Sequence, residues 1–553
     1  MAAAALDARR TALAALAAEP FDVLVIGGGI NGAGIARDAA LRGLRTALVE
    51  QGDLASGTSS RSSKLIHGGL RYLEQGHVRL VLEACRERER LRRLAPHLVR
   101  PQRFVYPVYA GGPVSKLKLG LGLFAYDLLA GWWSVARHRL LSAAAIHEAE
   151  PTLRTDGLRG AGCYWDAQTD DARLVLETAL AAACEGAVVA SYAGVTALVR
   201  SGGRLTGARV VDRLSGETIE VGAAVVVNAA GPWVDRVAAL DEPAAPRLRL
   251  TKGVHVLVRR DRIGHRDAIV LHARRDRRVM FVIPWGEVSL IGTTDTDHVG
   301  GPDTPPVVEP DDVAYLLETV NHYFPDARLD ASHVVSAFAG LRPLVAPPVS
   351  ATAAPSDVSR EEEIFVSKSG LISLAGGKLT TYRLVAAEVV DRVVAAIRRA
   401  GDPRRFGRSR TGEIPLPGGS AEPAHVAAEA LARDGHGMPP AVVEYLAGRY
   451  GSRLGEVLGL VGVERSLAAP ISAALPDPRA EVVAAVEREW AVTLEDVLRR
   501  RTQVALHDET SGAAVAGEVA QLMAPALGWS TDVARAAADA YVADVQRDRR
   551  RWR

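Results

Sequence analysis

One segment near the start of the chain constrains the fold more than any other, the string FDVLVIGGGINGAGIARDAALRGLRTALVE at residues 21–50. Its apolar run at 21–26 predicts a strand, its glycines at 27–29 a tight turn, and residues 30–42 a helix that leads to a second strand at 45–50. Connections this short between two strands and one helix are typical of a βαβ unit, whose strands are parallel and buried. The sequence therefore predicts an α/β protein built around a parallel sheet.

The turn matches the GxGxxG pattern of dinucleotide-binding proteins at Gly27, Gly29 and Gly32. The first glycine of this pattern permits the tight turn, the second lets the backbone approach a pyrophosphate, and the third lets helix and strand pack closely. The helix that begins here offers free N–H groups and the positive end of its dipole to phosphates. Glu50 ends the next strand, 23 residues after Gly27, where its carboxylate can accept hydrogen bonds from ribose hydroxyls. The motif fits NAD or FAD, and its position so early in a long chain favours FAD by analogy with glutathione-reductase-type enzymes.

The length of the chain and the changes in its composition along the sequence predict its division into regions. At 553 residues it is too long for a single hydrophobic core. A Pro- and Gly-rich stretch at 415–419 is typical of a linker, and the sequence beyond it is rich in Ala, Arg and Glu at helical spacing. We therefore predict an N-terminal extension at 1–20 that forms a short Ala-rich helix, nucleotide-binding and interleaved substrate-binding domains at 21–410, and a helical domain at 411–553.

Composition argues against several classes of function. The 67 Lys and Arg residues against 65 Asp and Glu give a net charge of +2, which is not the basic excess of a nucleic-acid-binding protein. The three cysteines are widely spaced and form no paired motif, which fits a reducing, cytoplasmic compartment. No run of about 20 apolar residues occurs, so no membrane-spanning helix is predicted. His265 and His272 lie in Arg-rich, loop-like sequence without convergent carboxylates, so we expect both to be exposed to solvent and predict no metal site.

Six further strings follow the first in a fixed order: GTSSRSSKLIHGGLRYLE, NAAGPWVD, TKGVHV, FVIPWGEVSLIGTTDTD, GLRPL and LAGGKLTTYR. Over about residues 21–400 the sequence resembles the FAD-dependent, quinone-linked aerobic glycerol-3-phosphate dehydrogenase family, and the C-terminal part resembles it more loosely. The resemblance implies an FAD-binding Rossmann-like domain of the glutathione-reductase and D-amino-acid-oxidase type, a mixed-sheet substrate domain and an all-α C-terminal domain.

The resemblance also implies which residues hold the cofactor. The Ser-rich segment after the βαβ unit would wrap the flavin. The strand-to-helix junction at 376–381 would meet the N1–C2=O edge of the flavin, where negative charge grows on reduction. The residues expected at FAD are Gly27, Gly29, Ile30, Asn31, Gly32, Glu50, Gln51, Thr58, Ser59, Ser62, Lys64, Leu65, His67, Gly68, Gly69, Ala230, Gly231, Lys378, Leu379 and Thr380.

The substrate implied by the resemblance is glycerol 3-phosphate, whose phosphate dianion requires charge-assisted donors. Guanidinium groups supply such donors in bidentate geometry, and lysine supplies a point charge. By the resemblance, the binding and catalytic cations are Arg71, Arg342 and Lys378, and Tyr72 also reaches the substrate.

Oxidation at C2 also requires a base for the hydroxyl proton while the flavin takes the hydride. His255, in the string TKGVHV, is the candidate base, because an ordinary histidine pKa near 6.5 suits proton abstraction at neutral pH. In this role it would also contact the substrate. A hydrogen-bonded core histidine on a strand explains the same residue. His67 is a second candidate for the base, although contact with the flavin is the expectation for it.

Residues 115–139 have an apolar centre, basic residues at both ends and Trp132 and Trp133 near one boundary. This pattern suits a helix that lies in a membrane interface, and it suits a buried core helix equally well. The resemblance implies peripheral attachment to the inner face of the cytoplasmic membrane, with a quinone as electron acceptor. The alternatives are a glycerol-3-phosphate oxidase that uses O₂, an amine or amino-acid oxidase of the same fold, and a non-enzymatic flavoprotein. The sequence leaves open whether the protein is a monomer or a homodimer.

Overall fold

Two β-sheets and a set of C-terminal helices make up the structure, a computed structural model that describes residues 4–70, 73, 77–131, 135–243, 245–345, 362–433 and 435–553. The strands are β1 (Phe21–Ile26), β2 (Thr46–Val49), β3 (Leu65–Ile66), β4 (Arg100–Tyr109), β5 (Arg139–Leu141), β6 (Leu158–Gln168), β7 (Val188–Ala190), β8 (Ala193–Ser201), β9 (Arg204–Asp212), β10 (Thr218–Asn228), β11 (Leu248–Arg259), β12 (Ala268–His272), β13 (Val279–Trp285), β14 (Val288–Gly292), β15 (Thr296–Asp297), β16 (Val334–Val345), β17 (Glu363–Val366) and β18 (Ile372–Ala375).

Helices connect these strands and then fill the C-terminal part of the chain. They are α1 (Ala4–Ala18), α2 (Ile30–Leu41), α3 (Val78–Leu94), α4 (Lys116–Ala130), α5 (Ala143–Ala149), α6 (Asp171–Cys184), α7 (Val234–Ala239), α8 (Arg260–Ile263), α9 (Pro310–Tyr323), α10 (Tyr382–Arg399), α11 (Pro423–Ala432), α12 (Pro440–Tyr450), α13 (Leu454–Val463), α14 (Arg479–Arg488), α15 (Val504–His507), α16 (Ala516–Leu527) and α17 (Thr531–Trp552).

The first sheet contains the predicted nucleotide-binding unit. Its strand order is β17-β18-β10-β1-β2-β7, and β1 pairs in parallel with both β2 and β10. Helices α2, α6 and α10 pack together over this sheet and share one apolar core with the central strands. Gly34 permits the approach of α2 to α10, because a Cβ there would lie 2.8 Å from the ring of Tyr382. The βαβ prediction is therefore confirmed, and β8 and β9 extend the sheet as an antiparallel hairpin beside β10.

The second sheet is mixed, as the resemblance implied. Its order is β15-β11-β14-β13-β12-β4-β6-β3, with β16 paired to β11 and β5 paired to β6. Most of its pairs are antiparallel, whereas β12 and β4 run parallel. Strand β11 is buried on both faces: Val254 and Val256 join the core beneath α9, and His255 and Leu257 point to the opposite side. The candidate base therefore lies inside the protein on a central strand.

The chain after residue 421 is helical in its described part, as predicted, and it contains a single π-helical turn at Asp496–Arg501. Its helices enclose two apolar cores of their own. The predicted N-terminal helix is also present. It packs on β7 and β10, with Leu16 buried and Arg9 paired to Asp212 at 2.6 Å. Within the part of the chain that the structure describes, none of the helices combines the length and the hydrophobicity that a membrane span requires.

Candidate active site

The glycine turn after β1 is shaped by close backbone contacts. Gly27 has φ +113°, and a Cβ on it would lie 2.5 Å from the carbonyl oxygen of Ala229 on the neighbouring strand end. A Cβ on Gly32 would collide with the carbonyl oxygen of Gly27. Gly27 is therefore required by the tight turn and by the neighbouring end of β10, and Gly32 by the approach of helix α2 to the end of β1.

Glu50 is fixed by the backbone on both of its oxygens. The N–H of Gly28 donates to Oε2 at 2.6 Å, and the N–H of Gly52 donates to Oε1 at 2.8 Å. Burial raises the pKa of Glu50, and the two N–H donors act in the opposite direction. The carboxylate thus has a set orientation at the end of β2, beside the glycine turn.

A cavity of about 410 Å³ opens at this turn, at the carboxyl ends of the parallel strands. The predicted cofactor residues that line it are Gly27, Gly29, Ile30, Asn31, Glu50, Gln51, Thr58, Ser59, Ser62, Ala230, Gly231, Lys378 and Leu379. These residues come from three separate parts of the sequence, and the fold brings them to one place.

Hydrogen bonds around the cavity link α2 to the Ser-rich turn and to the glycine pair before Lys378, and link that turn to β16. Ser59 Oγ accepts from the N–H of Ile30 at 3.0 Å, so the Ser-rich turn Thr58–Ser60 lies against the start of α2. Thr58 Oγ1 donates to the carbonyl of Leu341 on β16 at 2.6 Å. Asn31 Nδ2 donates to the carbonyl of Gly376 at 3.2 Å, which ties α2 to the glycine pair before Lys378.

Lys64 lies away from this cavity and is paired with a carboxylate. Its side chain is buried, and its ammonium forms an ion pair with Asp171, which also accepts from the hydroxyl of Ser62 at 2.7 Å. The ammonium lies over the rings of Trp285 and Phe338 as well. Lys64 does not line the cavity described above. Sequence spacing gave no signal for Asp171, which lies more than one hundred residues away at the start of α6.

The other expected cofactor residues that do not line this cavity are Gly32, Leu65, His67, Gly68, Gly69 and Thr380. Two of them lie together, because the hydroxyl of Thr380 accepts from the N–H of His67 at 3.2 Å. The N–H of Gly68 donates to Asp166 and to the hydroxyl of Tyr126, both at 3.0 Å. A Cβ at Gly68 would lie 2.5 Å from Cys85 Sγ, so glycine is required there by packing. The segment before residue 71 is therefore held between the two sheets.

His255 is buried on β11 and faces Ser63, with 2.9 Å between Nε2 and the serine hydroxyl. Its ring stacks on Phe338 at 5.0 Å between centroids, and a Cβ at Gly292 of β14 would collide with it. Burial lowers the pKa of His255 well below its ordinary value, and Arg342 and Lys64 lower it further. The imidazole is therefore neutral at neutral pH and able to accept a proton.

Arg342 on β16 extends over Gly253 on β11, where a Cβ would collide with its guanidinium. Its Nη1 donates to Asp295 Oδ1 at 3.0 Å, and its Nη2 donates to Thr293 Oγ1 at 2.8 Å. Asp295 is wholly buried and also accepts from Arg278 at 2.6 Å. The two arginines lower the pKa of Asp295 against the effect of burial, so it carries a negative charge.

Gly253 and His255 alternate with Val254 on β11, so the guanidinium of Arg342 and the imidazole of His255 occupy the same side of the strand. Lys378 lies at the cavity, at the start of the turn Leu379–Thr381 that precedes α10. Arg71 and Tyr72, the other expected substrate residues, lie outside the described residues. The structure thus brings a neutral imidazole and a guanidinium to the same part of the second sheet.

Two family models match the chain. The family described as FAD dependent oxidoreductase matches residues 22–383, and the C-terminal domain of alpha-glycerophosphate oxidase matches residues 409–534. A protein named glycerol-3-phosphate dehydrogenase from Mycobacterium leprae is 42% identical over 522 residues, which cover 93% of this chain and 86% of that protein. The chain belongs to the FAD-dependent glycerol-3-phosphate dehydrogenase family.

Two further comparisons agree with this membership. Glycerol-3-phosphate dehydrogenase 2 from Mycobacterium tuberculosis is 42% identical over 541 residues, 97% of this chain and 90% of that protein. The crystal structure of glycerol-3-phosphate dehydrogenase from Bacillus halodurans, complexed with FAD, superposes with a TM-score of 0.81. It is 32% identical and covers 99% of this chain and 98% of that one. The fold expected from the resemblance is therefore confirmed, and FAD is the cofactor of this flavoenzyme family.

The residues around the cavity fit FAD. At Gly27 and Gly29 no side chain separates the backbone from the cavity, and α2 begins there with N–H groups suited to a pyrophosphate. Glu50 supplies an oriented carboxylate at the end of β2, and Thr58 and Ser59 supply hydroxyl groups. These are the donor and acceptor types that a dinucleotide requires.

Sequence reasoning missed several residues that line this cavity. Trp233 follows the predicted Ala230 and Gly231 within one quoted string, so that string was a signal for it. Pro343 likewise follows the predicted Arg342 within the quoted string GLRPL. The remaining residues gave no signal, because they lie in or just after the β8–β9 hairpin and α7, whose positions over the cavity are tertiary properties. The missed residues include Ala193, Val195, Thr196, Arg213, Arg236, Val237, Leu240 and Pro343.

The expectation that His265 and His272 are exposed to solvent is wrong for His265. This residue is buried, with its two ring nitrogens 2.7 Å from the carbonyl of Asp267 and 2.6 Å from the hydroxyl of Ser289. Burial lowers its pKa to about 4. His272 lies on β12 and meets the hydroxyl of Tyr106 at 2.7 Å. Exposure was predicted from the many arginines nearby, but these arginines face outward, whereas both histidines contact side chains on neighbouring strands.

Proposed function

We propose that the chain oxidises sn-glycerol 3-phosphate to dihydroxyacetone phosphate and passes the electrons through FAD to a membrane quinone. The observation that carries this proposal is the 42% identity to a protein named glycerol-3-phosphate dehydrogenase over 93% of the chain. Bound FAD would accept the hydride from C2 of the substrate at N5.

The substrate phosphate would bind to cations of the second sheet and of the junction before α10. We assign this role to Arg342 and Lys378, together with Arg71 and Tyr72. A guanidinium offers two parallel donors to a phosphate, and the position of Arg342 is supported by its bonds to Asp295 and Thr293. A carboxylate substrate would need fewer positive charges, so this cation set favours the phosphate ester over an amino acid.

The substrate hydroxyl proton would pass to His255. We assign proton uptake to Nε2, because this nitrogen already meets a hydroxyl group, that of Ser63, at 2.9 Å. The lowered pKa keeps the imidazole neutral, and the surrounding buried residues keep water away from it. A bound phosphate dianion would offset the charge of Arg342 and so make the imidazole a stronger base in the complex.

A helix on the surface supports the membrane part of the proposal. Leu117, Leu121, Phe124 and Leu128 of α4 form a stripe of side chains that are each 62–75% exposed. The opposite face of α4, with Leu119, Leu123 and Tyr126, is buried against the second sheet. A helix that is apolar on its solvent side as well as its core side is typical of an interaction surface.

We propose that this stripe, which we call the α4 stripe, lies in the interface of a lipid bilayer. Lys116 and Lys118 at the start of α4 would then meet anionic headgroups, while the leucines and Phe124 enter the acyl boundary. A quinone dissolved in the same bilayer could then reach the reduced enzyme. This placement corresponds to the inner face of the cytoplasmic membrane. Trp132 and Trp133, also expected at this boundary, lie outside the described residues.

Steady-state oxidation with defined acceptors tests the proposal. The purified holoenzyme should form dihydroxyacetone phosphate from sn-glycerol 3-phosphate with a quinone analogue under nitrogen, and form hydrogen peroxide in air far more slowly. Arg342→Gln should raise the KM for the substrate at least tenfold, whereas Arg392→Gln, at a half-buried arginine of α10 that does not line the cavity, should leave it unchanged. Peroxide formed as fast as quinone is reduced would identify an oxidase. Oxidation of amino acids in place of glycerol 3-phosphate would refute the substrate assignment.

A further inference from the structure

The C-terminal helical region, which follows residue 421, contacts the nucleotide-binding region at residues 21–410 through buried charged side chains. Asp53, in the segment after β2, is wholly buried and accepts from two arginines of the π-helical turn. Arg500 Nε donates to Oδ2 at 2.6 Å, and Arg501 donates through Nη1 and Nη2 at 2.7 Å each. Arg501 is itself held by the carbonyl of Glu489 at 2.8 Å. Guanidinium groups of the C-terminal helical region thus donate to both oxygens of a buried carboxylate in the nucleotide-binding region.

Asp53 lies in the short segment that joins two groups of cavity-lining residues. Glu50 and Gln51 precede it, and Ser56, Gly57, Thr58 and Ser59 follow it. The next residue but one, Ala55, donates its N–H to the carbonyl of Gly28 in the glycine turn at 3.0 Å. The position of Asp53 therefore sets the path of the backbone between the carboxylate of Glu50 and the hydroxyl of Ser59.

A second contact reaches the same side of the cavity. The hydroxyl of Tyr192 donates to Asp496, the first residue of the π-helical turn, at 2.8 Å. The N–H of Tyr192 donates to the carbonyl of Gly52 at 2.7 Å, and the N–H of Ala193 donates to that of Glu50 at 2.7 Å. Ala193 itself lines the cavity and begins the β8 strand that supplies two further lining residues. The same six-residue turn thus holds both backbone segments that meet at Glu50.

We propose that the turn Asp496–Arg501 positions the adenosine end of the FAD site through Asp53 and Tyr192, so that the C-terminal helical region sets how long FAD stays bound. Asp53 and Tyr192 act as positioning residues, since neither lines the cavity among the described residues. The physical reason is that a buried carboxylate holds its position only while its cationic partners remain, because an unpaired buried charge is strongly unfavourable. This inference rests on the proposal that the cavity holds FAD, and not on the identity of the substrate.

Release of FAD from the diluted holoenzyme, followed as the rise in flavin fluorescence, tests this proposal. Asp53→Asn removes the charge with almost no change in volume and should speed the release at least tenfold. The matched control is Glu489→Gln. The side chain of Glu489 is also wholly buried at the boundary between the two regions and is held bidentately by Arg173 of α6 at 2.8 and 2.6 Å. The substitution leaves in place the backbone carbonyl of this residue, which accepts from Arg501. Among the described residues that line the cavity, however, none comes from α6.

Glu489→Gln should therefore leave FAD release within threefold of the wild-type rate, even if it lowers the melting temperature as much as Asp53→Asn does. Release from Asp53→Asn within threefold of the wild type would overturn the proposal. Equal acceleration by both variants would also overturn it, because it would show that general loosening of the boundary, and not the Asp53 segment, controls FAD.

If Asp53→Asn does not fold, Tyr192→Phe decides the question, since it removes one hydroxyl and nothing else. It should speed FAD release at least threefold, and an unchanged rate would overturn the proposal. Neither readout involves turnover. A protein that bound FAD in this way but oxidised another substrate would leave the result intact, so failure of the substrate assignment and failure of this inference are distinguishable.

Discussion

Replacement of two side chains in the middle of the α4 stripe should detach the protein from lipid. Leu121 is 64% exposed and Phe124 is 62% exposed. Together they expose more apolar surface than one fully exposed side chain of this kind. Full transfer of a leucine or phenylalanine side chain from water to an apolar phase stabilises by about 1.5–3 kcal/mol. Leu121→Gln with Phe124→Gln should therefore weaken membrane binding by about 2–4 kcal/mol, which corresponds to roughly 30- to 1,000-fold in the partition coefficient.

Co-sedimentation with vesicles that contain anionic phospholipid measures this partition directly. Wild-type protein should pellet with the vesicles, and the double variant should remain in the supernatant at the same lipid concentration. Both substitutions lie on the solvent side of α4, so reduction of the flavin by substrate should be unchanged. The matched control is Val299→Gln with Val463→Gln, which removes two side chains that are 86% and 72% exposed on other parts of the surface. This control should pellet like the wild type.

A lipid contact through the α4 stripe would be refuted if the Leu121 and Phe124 double variant pelleted with vesicles as strongly as the wild type. It would equally be refuted if the Val299 and Val463 control were released to the same extent, because exposed apolar area in general would then be the cause. A wild-type protein that stays in the supernatant at every lipid concentration would show that the stripe serves another partner.

Three further predictions concern the interior. Asp295→Asn should raise the KM for substrate about tenfold to one hundredfold, because the buried carboxylate that fixes Arg342 is worth about 1.5–3 kcal/mol as a charged hydrogen-bond partner. His255→Asn should lower the rate of flavin reduction by about 10²–10⁴-fold at unchanged FAD content, since the base is lost and the cofactor site is untouched. His97→Leu should make the free energy of unfolding fall less steeply as the pH is lowered. Burial lowers the pKa of His97 to about 3 in the folded state, whereas the unfolded chain titrates near 6.5. The contribution of this histidine is therefore complete above pH 6.5 and is lost as the pH falls toward 3, with about 2 kcal/mol lost at pH 5.

An unchanged KM in Asp295→Asn would show that Arg342 needs no positioning by a carboxylate. A reduction rate within tenfold of the wild type would remove His255 from the role of base. For His97, chemical denaturation at pH 7 and pH 5 gives the free energy of unfolding, and an equal decline in His97→Leu and in the wild type would refute the assigned titration.

Local sequence patterns predicted the parts of the site that depend on neighbouring residues. The turn at Gly27 and Gly32 and the acid Glu50 lie within one βαβ unit, so their spacing alone determines their geometry. The bounds of β1 and the first residue of α2 also follow from local sequence and were predicted correctly. These features require no information about the rest of the chain.

Long-range partners were not predictable in the same way. Lys64 pairs with Asp171, and Arg342 depends on Asp295, but nothing in the separation of either pair along the sequence indicates contact. The family resemblance implied that Lys64 contacts the flavin, and no local pattern indicated that a buried carboxylate on α6 pairs with its ammonium. The contact of Asp53 with Arg501 joins residues more than four hundred positions apart, and it gave the helical C-terminal region a structural role that composition could not suggest.

Anaerobic mixing of the purified holoenzyme with sn-glycerol 3-phosphate tests the central claim most directly, with the visible absorbance of the flavin as the readout. We expect the flavin to be bleached by the substrate and then reoxidised by a quinone analogue much faster than by air. A flavin that stays oxidised would contradict the substrate assignment and would leave the cations around Arg342 to bind another anion. Rapid reoxidation by air would keep the substrate and replace the quinone with O₂.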